Sequence, residues 1–179
     1  MIIGRQGSGK TLLALHKALN YYKRGFNVYS NVAFKFPYKR LKYSDIVECN
    51  LSNGVVIVDE AHQLLPSRNS MSKRSRLICD KFISMIRKKR LQVYMTTQTP
   101  RKIDIRIREE CDYMFMVKKL GFIRGQWVEI LTDELEKIPI KIIVTMIDMI
   151  DYKSVEFDFD ANQYYNLYDT AEIIDIGEE

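Results

Sequence analysis

The apolar positions follow two rhythms along the first two thirds of the chain. Leu12, Leu15, Leu19 and Tyr22 recur at the spacing of one helical face and are followed by Gly25, so the pattern predicts a helix over Thr11–Arg24. Phe26–Val32 alternates and is rich in Val, Tyr and Phe, which predicts a strand. Phe36–Asn53 is mixed, with turn signals at Pro37 and Ser52-Asn53-Gly54. Val55–Val58 is an unbroken β-branched run, the mark of a strand buried on both faces. A short helix is expected over Glu60–Leu65, stopped by Pro66, and then a polar loop over Ser67–Lys73. Arg74–Arg90 reads as a helix with Leu77, Phe82, Met85 and Ile86 turned inward. Leu91–Thr96 is a strand that breaks at Thr99-Pro100; Ile103–Glu110 is a helical turn and Tyr113–Val117 a further strand.

Met1–Ile3 leaves room for only a stub of strand. Strands alternating with helices up to Lys118 predict an α/β fold, a central and mostly parallel sheet with helices on both faces. Beyond that point, strand-like segments at Trp127–Leu131 and Ile140–Ile147 predict a small β-rich C-terminal addition. The expected organisation is one domain over residues 1–179, with a core over 1–118 and C-terminal strands and a tail over 119–179.

Composition adds little to the fold and more to the setting. The 179 residues are 46% hydrophobic and 28% charged, which excludes a largely disordered chain. Cys49, Cys79 and Cys111 are widely spaced, with no CxxC pair, so reduced thiols in a cytoplasmic setting are expected. The longest apolar stretch, Ile138–Ile150, is broken by Lys141 and Asp148 and is too short for a transmembrane segment. The glycine-rich motif begins at Gly4, ahead of any room for a signal peptide.

The net charge is +5, and its distribution matters more than its sum. Nine bases fall between Ser67 and Arg90 against the single acid Asp80. Within this stretch Arg68, Lys73, Arg74 and Arg76 form a candidate track for a nucleic-acid backbone, because a basic loop can follow phosphates without reading sequence. A solvated basic loop has the same composition.

Gly4-Arg5-Gln6-Gly7-Ser8-Gly9-Lys10-Thr11 fits G-x-x-x-x-G-K-[ST]. Glycines let the backbone curl so that successive N–H groups converge on β- and γ-phosphates, and the loop feeds an electropositive helix start. Lys10 supplies a point charge, Thr11 a hydroxyl for Mg²⁺, and Leu12 completes the nucleotide-binding segment. The strand Val55–Val58 ends in Asp59 and Glu60. An acid at the carboxyl edge of a parallel sheet points into the ligand crevice, so Asp59 is expected on Mg²⁺ and Glu60 as the base for an attacking water. Gln98 closes the strand expected between the first strand and the Asp59 strand, where an amide can touch both the γ-phosphate and the water. An arginine among Arg87–Arg90 is a candidate for a neighbouring subunit's γ-phosphate, with Arg106 and Arg108 as rivals. Asp59-Glu60-Ala61-His62 spells the letters of a helicase class, but such helicases are far longer. His62 is read simply as a residue of the short helix.

Taken together, Gly4–Thr11, Val55–His62, Arg87 through Thr96-Thr97-Gln98-Thr99-Pro100, and Ile103–Asp112 leading into a strand resemble the zonula occludens toxin-like branch of the FtsK–HerA superfamily of P-loop ATPases. Tyr168-Asp169-Thr170-Ala171-Glu172 resembles an element near the end of that domain. The resemblance implies an additional-strand, catalytic-glutamate ATPase core that uses ATP and Mg²⁺ and forms a homo-oligomeric ring, with a hexamer favoured. It implies Lys10, Thr11, Asp59 and Glu60 as the hydrolytic set, Gln98 as polar sensor and Arg87 as the trans arginine. The partner it implies is DNA, double-stranded and bound without sequence preference. Filamentous-phage members carry a transmembrane helix after the ATPase and this chain shows none. The expectation therefore moves from extrusion at a membrane to packaging of a viral genome, with a capsid or portal-vertex protein as further partner, in the host cytoplasm or on the virion. A membrane-associated assembly ATPase and a non-motor nucleotide switch or phosphotransferase are the alternatives.

Overall fold

A computed structural model describes residues 1–67, 73–130 and 138–167. In chain order the elements are β1 (Ile2–Ile3), α1 (Lys10–Lys23), β2 (Asn27–Ser30), β3 (Lys39–Arg40), α2 (Tyr43–Val47), β4 (Gly54–Val58), α3 (Lys73–Lys88) and β5 (Leu91–Thr97). There follow a 3₁₀ turn at Pro100–Lys102, α4 (Ile105–Glu109), β6 (Tyr113–Ile123), β7 (Gln126–Glu129), β8 (Ile140–Asp148), β9 (Ser154–Phe159) and a 3₁₀ helix at Asn162–Leu167. One mixed sheet joins the strands in the order β3-β2-β4-β5-β1-β6-β8-β9, with β7 paired to β6. From β3 to β6 every pairing is parallel; β7, β8 and β9 are added antiparallel.

The insertion of β5 between β4 and β1 is the additional strand expected from the sequence. It brings the carboxyl ends of β1, β4 and β5 to one edge. All five residues of β4 are buried. Val55 and Ile57 pack with Leu12, Leu13 and Leu15 of α1, whereas Val56 and Val58 pack with Phe82 and Met85 of α3. This two-sided burial is why the strand reads as a continuous apolar run. Completely burying one such Val or Ile is worth about 1.5–3 kcal/mol, so β4 is a firmly held support of the sheet edge.

Several expectations are corrected. Glu60–Leu65 is a series of turns, not a helix: Glu60 takes φ 47°, which a right-handed helix excludes, and the Ala61 N–H is spent on the Thr96 carbonyl at 2.9 Å. On α3, Leu77 is exposed and Cys79 takes the inward position with Phe82 and Met85. The strand starting at Tyr113 runs to Ile123, through residue 118, so core and addition share one strand. β9 has no counterpart among the predicted strands.

Residues beyond β6 pack against the first helix on its own face of the sheet. Ile142 of β8 packs in the same core as Leu12 and Leu13. His16 Nδ1 and the Tyr164 hydroxyl are 2.6 Å apart, and Phe159 stacks on Tyr164.

Candidate functional site

The glycine-rich loop leaves β1 at Gly4 and enters α1 at Lys10. Gly7 (φ 72°) and Gly9 (φ 98°) are both left-handed, the conformation that glycine adopts without a Cβ penalty. Gly9 is the N-cap of α1 and offers no side chain to the first turn, leaving that turn's N–H groups for an anion. Lys10 is buried, and its Nζ arches back to donate to the Arg5 carbonyl at 2.9 Å. Burial lowers the Lys10 ammonium pKa, against the opposing pull of Glu60 and Asp59. Ser8 Oγ is buried without a hydrogen-bond partner. Arg5 reaches Glu129 on β7 at 3.7 Å, a largely exposed pair.

Asp59 follows β4 and is gripped from helix α1, from β5 and from the end of β2. Thr11 Oγ1 and Thr96 Oγ1 both donate to its Oδ1, at 2.9 and 2.6 Å. Asn31, just past β2, donates Nδ2 to the Asp59 carbonyl at 2.9 Å and accepts the Asp59 N–H at 2.7 Å. The carboxyl pKa is raised, first by burial and further by Glu60, while the threonine hydrogen bonds and Lys10 oppose the rise. Adjacent ligands of an octahedral Mg²⁺ at its usual 2.0–2.1 Å bond length lie about 2.9 Å apart. The Thr11 hydroxyl and the Asp59 carboxylate oxygen are separated by 2.9 Å, so this donor pair fits one magnesium ion.

Glu60 turns away from β4 in the left-handed region, its N–H held by Thr96 Oγ1 at 3.0 Å. Gln98 Nε2 stands 3.4 Å from Glu60 Oε1. On the other side His62 Nδ1 lies 3.3 Å from Glu60 Oε2, too poorly aligned for a hydrogen bond. The sheet thus gathers Lys10, Thr11, Asp59, Glu60 and Gln98 at one edge.

Other sequence candidates are elsewhere. Arg87 ends α3, pairs with Glu110 and lies at the opposite edge of the sheet. β5 alone, seven residues long, separates the two edges by about 23 Å at ~3.3 Å per residue. Arg87 can therefore meet a phosphate site only on another copy. Arg106 is bound to buried Asp104 at 3.0 Å and to Asp80, which raise its pKa and tie it to the fold. Arg108 Nε donates to the Ile103 carbonyl at 3.3 Å. Lys73 and Arg76 are exposed on the first turns of α3, where Arg74 also falls. Arg68 and Tyr168–Glu172 lie outside the described residues.

Sequence reasoning missed three residues. Asn31 and Thr96 clamp Asp59 and Glu60, and His62 faces Glu60 instead of occupying a helix surface. A polar residue at the end of each strand beside β4 was the available signal.

Half-buried Asp59 and buried Lys10 make this site costly to the ligand-free fold. Folded Asp59 keeps its proton to higher pH than the unfolded chain does. Its effect on stability therefore turns unfavourable as pH rises from the unfolded carboxyl range through the folded pKa, and stays so at neutrality. Asp59→Asn keeps an acceptor for Thr11 and Thr96 while removing the charge. It should raise ligand-free stability by about 0.5–2 kcal/mol, as relief of functional-site strain commonly does, and abolish any extra stabilisation by magnesium over ATP alone. Thermal melts with and without Mg²⁺ test both effects.

The sequence model of the family described as zonular occludens toxin (Zot) matches residues 37–156. The N-terminal domain of zonular occludens toxin from Neisseria meningitidis superposes with a TM-score of 0.59 at 15% identity, covering 94% of this chain and 97% of that one. The genome-packaging NTPase B204 of Sulfolobus turreted icosahedral virus 2, in complex with ATP-gammaS, superposes with a TM-score of 0.56 at 14% identity, covering 87% and 94%. Its AMP complex superposes with the same TM-score at 15% identity, covering 87% and 94%. At these identities the likeness is one of fold, the P-loop NTPase fold. A comparison with curated proteins gave no match.

Proposed function

Since the chain belongs to the zonular occludens toxin family, we propose that it is a magnesium-dependent ATPase that moves DNA and packages a viral genome. The observation that carries the hydrolytic part is the continuous set Thr11–Asp59–Thr96–Glu60–Gln98, assembled around a phosphate-binding loop. The N–H groups of Gly7 through Thr11 and the Lys10 ammonium hold the β- and γ-phosphates, with Gly4, Arg5, Gln6 and Leu12 shaping the loop around them. Thr11 and Asp59 hold Mg²⁺, which when bound neutralises charge on the transferring phosphoryl group. Glu60 accepts the proton of the attacking water, and Gln98 orients that water and Glu60 together.

The DNA part rests on the family, on the likeness to a packaging NTPase and on the basic stretch. Lys73, Arg74 and Arg76, with Arg68 before them, take the phosphate backbone of double-stranded DNA in a homo-oligomeric ring, hexameric by preference. Arg87, far from its own loop, reaches the neighbouring copy's γ-phosphate. We take residues 1–179 as one ATPase domain that works in the host cytoplasm or on the virion, against a capsid or portal-vertex protein. Among the described residues no helix is long and apolar enough to cross a membrane, so an assembly role at a membrane would need an anchor from elsewhere.

ATP hydrolysis measured with and without double-stranded DNA decides the reading. We expect DNA to raise the rate several-fold, with a steep loss of stimulation between 50 and 200 mM salt because phosphate contacts release counterions. Indifference to DNA, together with no DNA binding at low salt, would remove the motor. Phosphate appearing on an acceptor, and not free in solution, would replace hydrolysis with phosphotransfer.

A further inference from the structure

We infer that His62 is a positioning residue for Glu60: its Nδ1–H holds Glu60 Oε2 and leaves Oε1, shared with Gln98, to receive the proton of the attacking water. This rests on the ATPase reading, in which Glu60 is the base.

Among the described residues three buried polar side-chain atoms have no hydrogen-bond partner: Ser8 Oγ, Glu60 Oε2 and His62 Nδ1. Two of these three face each other at 3.3 Å. Buried polar groups are almost always paired, so a buried donor and acceptor within reach of each other but misaligned identify a bond poised to form. The outer torsion of a glutamate is broad and its rotation cheap, so a small turn of the carboxylate aligns the pair. The backbone leaves less freedom. Glu60 is fixed at φ 47°, with its N–H on Thr96 Oγ1 and the next N–H on the Thr96 carbonyl. His62 rides on the turn that follows, where Gln63 N–H donates to the Glu60 carbonyl at 2.9 Å. The ring is therefore carried by the same turn as the carboxylate it faces.

The other oxygen has a different neighbour. Gln98 Nε2 approaches Oε1 at 3.4 Å, a long contact from an exposed side chain after β5. One oxygen thus faces a half-buried imidazole and the other an exposed amide. A base needs one oxygen held and one available, and His62 supplies the hold.

His62→Phe keeps the ring and removes the donor; His62→Asn places an amide N–H close to the former Nδ1. In the full chain, His62→Phe should lower kcat about tenfold or more, the effect of one hydrogen bond to a charged group, with the KM for ATP within twofold. His62→Asn should recover most of the rate. In a Glu60→Gln background, His62→Phe should cost nothing more, because the two changes act on one unit. Native turnover by His62→Phe, or His62→Asn as slow as His62→Phe, overturns the inference while the ATPase reading stands.

A second measurement does not depend on turnover. The chain has two histidines, so the nitrogen-15 signals of the His62 ring are assigned with one variant. We expect the Nδ1–H tautomer in the native chain and a shifted signal in Glu60→Gln. An Nε2–H tautomer indifferent to Glu60→Gln overturns the proposed contact even if the chain hydrolyses nothing. A native chain without ATPase activity removes the ATPase reading instead, and Glu60→Gln turning over normally moves the base elsewhere and takes the role of His62 with it.

Discussion

Glu60→Gln should bind ATP as tightly as the native chain and hydrolyse it about a thousand-fold more slowly. A positioned general base contributes roughly 10²–10⁴ in rate, and an amide of the same shape cannot accept the water's proton. Geometry is conserved in the variant. The glutamine still meets the Gln98 amide at the former Oε1, and the backbone at residue 60 keeps its N–H on Thr96 Oγ1. Binding is conserved for a different reason. In the proposed site Lys10 and the loop N–H groups hold the phosphates, and Glu60 contributes only a negative charge beside Lys10. Removing that charge favours the anion slightly, so affinity should stay equal or improve. Single-turnover hydrolysis and equilibrium binding of ATP, measured on the same preparation, separate the two effects. A variant that loses affinity and rate together would make Glu60 a binding residue, and one that keeps its rate would move the base elsewhere.

How much of this site was legible beforehand depended on how local its chemistry is. Gly4–Thr11 carries its meaning in eight consecutive residues, and the loop-to-helix transition appears where those residues require it. Asp59 was legible because Val55–Val58 is buried on both faces, which fixes the end of β4 at the crevice. Gln98 was legible once β5 was placed beside β4. Asn31 and Thr96 were not, because their roles come from sheet order. Asn31 ends a strand paired with β4 on one side, and Thr96 lies in the strand paired on the other. Neither fact is encoded near the residue itself. The sequence places Glu60 at the start of a short helix stopped by Pro66, and tertiary bonds to Thr96 hold it instead in the left-handed region. β9 escaped notice although Ser154, Glu156 and Asp158 alternate with Val155, Phe157 and Phe159, because acids are depleted in strands and dilute that signal on an exposed edge. Leu77 and Cys79 show a related limit on α3, where positions two residues apart lie about 200° round the helix, so choosing one over the other exchanges the inward and outward faces.

Gly4→Ala should lose ATP binding by more than a hundred-fold, whereas Gly7→Ala should lose only a few-fold. Both are loop glycines, and the left-handed one is the more tolerant. A Cβ at Gly7 meets nothing within 4 Å, so its cost is the φ of 72° alone, about 1–2 kcal/mol for a non-glycine residue, shared between free and bound states. A Cβ at Gly4 would stand 2.5 Å from the Val117 carbonyl oxygen and 2.6 Å from Ser8 Oγ. The serine hydroxyl can rotate away, but Val117 O belongs to the backbone of β6, which is paired along its length to β8. β1 has only two residues, joined to Phe115 and Met116 of β6 and to Thr96 and Thr97 of β5. The weaker partner yields, so the added methyl displaces the start of the loop instead of the strand. Lys10 and the loop N–H groups then no longer converge on one phosphate, and a misplacement of about 1 Å in such a site is enough for a 10²-fold loss. β6, backed by β8, thus borders the proposed phosphate site: its Val117 carbonyl is the wall that makes glycine obligatory at the loop's first position. ATP-analogue titration of the two variants, with folding checked by thermal melts, measures the difference. Native affinity in a folded Gly4→Ala protein would mean that β1 and β6 slide past each other freely, and would remove that wall.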